Sequence, residues 1–402
     1  MASSRPLPRG GCDRRLGRGA NRLLPGLSRR LLSRSTGPYS DARARLQLDF
    51  LAQALRLQGN QITQLSTTTL WKEMLVALLD GTTVRLRPQG DIPEAFPAQG
   101  NQYRKKNYWC LMRVAVTFGC FTGAALDCAL GSMHLSEQAL ACQILLRAAG
   151  PCLFLGDRNF GVFRVAQVAR HARQQVLLRM TESRAARLLG CALRKGDFLL
   201  TWEPTRQDQL QPECSREAIQ GRLILQPWER PGFRTQWLCL FTSLRDQALY
   251  SAQELAKLYG QRWQIELNLR YLKTQMKAEQ LEVHSAAMAR KQWVACLLAY
   301  NLIRAAMLCA ALQQGSSPLG LSFSACRRRL ESWLRHFGRG KTQVLPTWTD
   351  TLQAMGACRL PKRKKPRPNE PRAKRYLRES FPPLTGSRAQ ARKKHEKPAL
   401  KS

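Results

Sequence analysis

Apolar positions along this chain follow two different periods, and the points where the period changes divide it into parts. EMLVALLD (73–80) is an almost unbroken apolar run, which predicts a buried strand ending at Asp80. Gly81 then makes the exit turn, unless TVRLRP carries the strand onward. The turn formers and basic cluster of 88–108 predict a surface loop. RVAVTFGCF (113–121) and AALDCALG (124–131) predict two strands joined at Thr122-Gly123 as a hairpin. SEQALACQILLRAA switches to helical spacing behind Ser136 as N-cap. CLFLGD (152–157) is a short strand ending at Asp157, FGVFRVAQVARHA a second helix and QQVLLRM another strand. Strands and helices in this order predict an α/β fold, a mixed sheet with helices on its faces. Such sheets place their chemistry at C-terminal strand ends, where Asp80 and Asp157 are expected.

From 181 to 240 the texture changes, because DFLLTWEP, GRLILQPW and TQWLCLFTSL are β-like pieces between turns. They predict a β-rich insertion. LAKLYGQRWQIELNLRYLKTQMK (255–277) then returns to the helical period. Wound at about 100° per residue, it puts Leu258, Ile265, Leu269, Leu272 and Met276 on one apolar stripe. Tyr259, Arg262, Glu266 and Lys273 fall within roughly 60° of one another on a second stripe. In isolation such a face is a solvated surface with an i,i+4 Arg-Glu pair. KQWVACLLAYNLIRAAMLCAAL is another long apolar helix, nearly long enough to span a bilayer. Asn301 and Arg304 near its middle are costly in lipid, so it is expected in a protein core, with no membrane partner.

The ends differ from the middle. Residues 1–39 form an Arg-rich arm, and SDARARLQLDFLAQALRL (40–57) predicts a helix capped by Ser40 or Asp41. After about 314 the chain is basic again, with an amphipathic ACRRRLESWLRHF and a Lys/Arg/Pro-rich tail.

Charge changes the picture most. The chain carries 65 Lys+Arg against 27 Asp+Glu, a formal +38, which calls for a polyanionic partner. Nucleic acid comes first and an anionic membrane surface second. The 13 cysteines form no CxxC pair and fall mostly in apolar runs, as reduced core residues of a cytoplasmic protein do. Asp91, Asp127 and Asp197 read as turn or cap residues. If Asp80, Asp157 and Glu266 converge, they offer oxygen ligands to a hard cation such as Mg²⁺, and two such ions suit an in-line phosphoryl displacement.

The spacing Tyr259, two residues, Arg262, three residues, Glu266, six residues, Lys273 resembles the Tyr-Arg-Glu-Lys signature of bacterial insertion-sequence DDE transposases, insertion sequence family four. LLDGTT around Asp80, FLGDRNF around Asp157, LYGQRWQIE and AYNLIR (299–304) resemble the same family in order, over about residues 38–382. The resemblance implies a ribonuclease H-like catalytic domain in two parts, 71–180 and 241–315, interrupted by the insertion at 181–240. A helical DNA-binding region at 40–70 precedes it and a basic region at 316–402 follows. It also implies that Asp80, Asp157 and Glu266 bind two Mg²⁺, with Mn²⁺ as substitute, and that Tyr259, Arg262 and Lys273 contact DNA phosphates. The expected enzyme is a DNA transposase, acting as a homodimer on terminal inverted repeats and target DNA in the bacterial nucleoid. Excision would pass through a hairpin, with Trp202 or Trp228 as candidates to hold a flipped base. The alternative is a catalytically inactive, transposase-derived DNA-binding protein.

Overall fold

The computed structural model describes residues 37–65, 69–100, 106–228, 236–337, 346–361, 387 and 389–390. Residues 361–402 separate from the rest as a unit of their own. The arm at 1–36 and most of the basic tail lie outside the described residues.

The apolar run at 74–79 is buried on both sides. Met74, Val76 and Leu78 enter one core and Ala77 and Leu79 another, as a strand covered by helices on both faces requires. This strand, β1 (Met74–Leu86), does not end at Asp80. Its antiparallel ladder to β2 (Lys106–Gly119) runs unbroken from Ala77 opposite Gly119 to Leu86 opposite Cys110. Gly81 therefore continues the extended chain instead of turning it. What stops near Asp80 is the neighbour on the other side, the parallel strand β4 (Cys152–Gly156). β3 (Ala125–Ser132) pairs with β2 as the expected hairpin, through a turn with Gly123 at φ +69°. The expected loop at 88–108 instead contains a helical turn, Ile92–Ala95, and a short strand, Ala98–Gly100, on the edge of β2.

β5 (Gln175–Arg179) continues the parallel part beyond β4. The three strands of the β-rich stretch are β6 (Gly196–Trp202), β7 (Ile219–Trp228) and β8 (Gln236–Thr242). They are joined edge to edge, and β8 pairs antiparallel with β5, so the region extends the same sheet.

The helices segregate by face. α2 (Glu137–Arg147), capped by Ser136, and α3 (Phe163–His171) pack in one core, where Ala185 of α4 (Glu182–Leu189) also lies. α1 (Leu48–Gln64), α5 (Ala252–Tyr259), α6 (Gln264–Arg270), α7 (Ala286–Gln313), α8 (Phe323–Phe337) and α9 (Trp348–Gly356) contribute to the other. The expected helix at 40–57 is two helices, Gly37–Arg45 and α1, because Gln47 is extended. Neither Ser40 nor Asp41 is its cap, since the first helix already begins at Gly37. α7 is long and apolar enough to cross a membrane, but most of its apolar window is buried in the protein. Its Asn301 side chain pairs with the backbone of Ala125 at the start of β3, accepting at 2.7 Å and donating at 2.8 Å.

Candidate active site

The parallel register places two carboxylates side by side. Leu78 lies opposite Leu155, so two residues further on Asp80 is level with Asp157, which leaves the sheet one residue past β4. The alternation of faces turns Asp80 toward the side that carries α5 and α6. Asp157 Oδ1 accepts the Asn159 amide at 2.8 Å, which shapes the turn after β4. Asp80 accepts the Gly81 amide at 2.8 Å. Burial pushes the Asp80 pKa up to about 6, and the charges of Asp157 and Glu137 add to the rise against the Gly81 amide and the Arg262 cation.

The segment keeps a helical backbone over 255–276, but it is not one regular helix. α5 ends at Tyr259, a 3₁₀ turn covers Gly260–Trp263, α6 follows, and a π-helical turn covers Tyr271–Gln275. Lys277, at φ +57°, lies just beyond this stretch. The apolar stripe is where its period puts it, with Leu258, Ile265, Leu269 and Leu272 buried.

The polar stripe divides. Tyr259 is buried, and its hydroxyl donates to the Gly156 carbonyl at 3.4 Å, just before Asp157. Burial raises its pKa to about 12. Arg262 is mostly buried and close enough to Asp80 to favour the charged carboxylate. It also donates to Glu266 at 3.3 Å, the ion pair that the i,i+4 spacing predicts. Glu266 itself faces solvent with its side chain 66% exposed. Lys273 is half-buried on the π-helical turn.

The structure thus brings Asp80, Asp157 and Arg262 together and leaves Glu266 on the outer side of Arg262. Among the described residues no group of three or more His, Cys, Asp or Glu is gathered closely enough to hold a metal ion. Two carboxylates beside each other, one of them raised in pKa by burial and further by the other's charge, are nevertheless a donor set that a hard divalent cation fits.

Two residues escaped the sequence reading. Glu137, in the first turn of α2, lies where a side chain on Gly81 would be, since a Cβ there would stand 2.3 Å from its carboxyl carbon. It accepts from the Asn159 side chain at 2.6 Å, and so joins the Asp157 turn to β1. The cap at Ser136 placed Glu137 in a helix, but nothing local set that helix beside Gly81. Trp263, next to Arg262, is 50% exposed. It lines a groove of about 540 Å³ with Arg179, Pro227, Leu238, Tyr259 and Arg262. The amphipathic wheel had no use for an aromatic off both stripes.

Of the two tryptophans suggested for a flipped base, Trp202 is ruled out. It is buried between Phe163 and Phe241, with ring centroids 5.7 and 4.8 Å away. The Trp228 side chain lies outside the described residues. Asp127 and Asp197 are not turn residues either. Asp127 is buried in β3 between Arg56 and Arg147, and Asp197 in β6 pairs with the fully buried Arg222. Asp91 accepts the Ala286 amide at 2.8 Å, at the start of α7.

The transposase DDE domain family matches residues 71–302, more than half of the chain, and the chain belongs to this family. The transposase InsG for insertion sequence element IS4 of Escherichia coli (strain K12) is 26% identical over 307 residues, covering 73% of this chain and 66% of that protein. The chain thus spans just under two thirds of that relative's length. A piggyBac transposase, solved by cryo-EM in a synaptic complex with hairpin DNA, is similar over 72% of this chain and 58% of that one. Its TM-score is 0.38 at 11% identity, too distant to carry a structural conclusion.

Proposed function

We propose that this protein is a DNA transposase that cuts the ends of its own insertion sequence and joins the freed 3′ hydroxyls to target DNA. The observation that supports this most is the pairing of Asp80 with Asp157 at the level where β4 ends, under the helix carrying Arg262 and Glu266, in a chain of the DDE family. In this reading the sheet is of the ribonuclease H-like kind and β6 to β8 are its insertion. Asp80 and Asp157 would hold Mg²⁺, and Glu266, once free of Arg262, would be the third acid to do so. A bound Mg²⁺ pair supplies activation of the attacking oxygen and stabilisation of the leaving one.

The chain's own residues do the rest. Arg262, once free of Glu266, and Lys273 neutralise backbone phosphates of the transposon end. Tyr259 braces β4 through Gly156 and stands beside the same phosphates. The exposed Trp263 and its groove offer a stacking surface for an unpaired base, the role first considered for Trp202 and Trp228, and suit excision through a hairpin. A pair of subunits, one on each transposon end, completes the assembly.

The outward Glu266 favours one competing reading, a DNA-binding protein that has lost catalysis. Incubating the full chain with Mg²⁺ and the DNA flanking its own gene separates the two. Nicks and hairpins at the element's ends are expected. Glu266→Gln is expected to abolish them while leaving binding of the same DNA within about twofold, since one acid contributes little to phosphate contacts. Tight binding without any cut by the unaltered protein would sink the proposal.

A further inference from the structure

Arg304 is a buried cation. It is 2% exposed in the middle of α7, and among the described residues no carboxylate is within ion-pair distance of it. Its Nε donates to the Tyr300 hydroxyl at 2.7 Å, and that hydroxyl donates in turn to the Gly123 carbonyl at 2.9 Å. Another guanidinium nitrogen donates to Asn268 Oδ1 at 2.7 Å. The rings of Tyr271, Tyr300 and Phe323 surround the guanidinium, with centroids 5.5, 5.2 and 5.2 Å away. A Cβ on Gly123 would stand 2.8 Å from its central carbon, so the β2–β3 turn is kept bare to admit it.

Taking a guanidinium out of water costs several kcal/mol, and ring faces with two neutral acceptors return only part of that. Leucine would fill such a place more cheaply, so what the cation adds is direction. Outside α7, its hydrogen bond to Asn268 and its contact with the Tyr271 ring run to the helix of the candidate site, while the Phe323 ring belongs to α8. Asn268 is two residues past Glu266, and Tyr271, which also stacks on Phe323 of α8 at 4.7 Å, is two residues before Lys273. Arg304 thus grips this helix on its inner side between Glu266 and Lys273.

We propose that Arg304 is a positioning residue. It fixes the rotation of α6 and of the π-helical turn about the helix axis, so that Glu266 can reach the metal held by Asp80 and Asp157 while Lys273 faces the DNA. This rests on the proposed metal site. Glu266 depends on such a grip because Arg262, its charged partner among the described residues, has to be released.

Iron-directed cleavage of the protein tests this without DNA. Fe²⁺ with ascorbate and peroxide, bound in place of Mg²⁺, cuts the backbone near its ligands. In the full chain, cuts are expected near Asp80, Asp157 and Glu266. Asn268→Leu and Arg304→Met are expected to lower the cut near Glu266 about tenfold, the factor that corresponds to 1.4 kcal/mol of lost positioning. The two cuts near the aspartates should stay as they were. Asn268→Asp, which gives the cation a carboxylate, should keep all three.

An unchanged cut near Glu266 in both Asn268→Leu and Arg304→Met would overturn the proposal. So would loss of the fold in both, seen by circular dichroism, because Arg304 would then serve stability alone. No cut near either aspartate in the unaltered protein would instead refute the metal site, and this inference with it.

Discussion

Asp80 sits where burial and two neighbouring carboxylates all oppose its negative charge. Its folded pKa of about 6 lies above the ordinary value of 3.8, so the native state favours its proton more than the unfolded chain does. Without metal, the resulting penalty is absent below about pH 4, grows as pH rises through 6, and reaches about 3 kcal/mol above it. Asp80→Asn should therefore stabilise the metal-free protein at pH 8 and not at pH 4. Urea unfolding at the two values checks this, and an equal effect at both would refute it. Added Mg²⁺ should stabilise the unaltered protein and leave Asp80→Asn as it was. The two aspartates were legible because each closes an apolar run. Their adjacency was expected from the family resemblance and not from local pattern, since it comes from a parallel register between segments some 75 residues apart.

At the scale of elements, the strands added beyond β5 are tied to the start of α5 by one guanidinium. Arg222 of β7, fully buried, pairs with Asp197 of β6. It also donates to the carbonyls of Leu244 at 3.0 Å and Tyr250 at 2.8 Å, in the segment that leads from β8 into α5. Asp197→Ala strands that charge and should cost about 3–5 kcal/mol, read as a lowered urea midpoint. A loss below about 1 kcal/mol would show that the carbonyls alone suffice. Asp197 and Asp127 looked like turn residues because the arginines that hold them are remote in sequence, and a strand with one buried acid carries no local mark of its partner. Most strands and the long helices were legible because their apolar period is strong over many residues. The breaks in 255–277 were not, since the 3₁₀ and π-helical turns answer to packing partners such as Phe323, which that stretch does not contain.

For the whole molecule, charge and order of synthesis matter more than any one contact. With a formal +38, binding to duplex DNA should fall steeply with salt, by about 10³–10⁵ between 50 and 200 mM if six to ten phosphates are engaged. Fluorescence anisotropy with the flanking DNA and with an unrelated duplex tests it, and a flat response would rule out phosphate contacts as the main source of affinity. The core on the Asp80 side of the sheet draws on both ends of the described chain. α7, which contributes much of it, begins 200 residues after β1 ends. At roughly 5–20 residues per second, a ribosome takes about 10–40 s to cover that distance. β2 and β4 are made within that interval and, like β1, wait for α7, which begins 129 residues after Asp157, so on the proposed function a nascent chain holds both aspartates before the helix that completes their site exists.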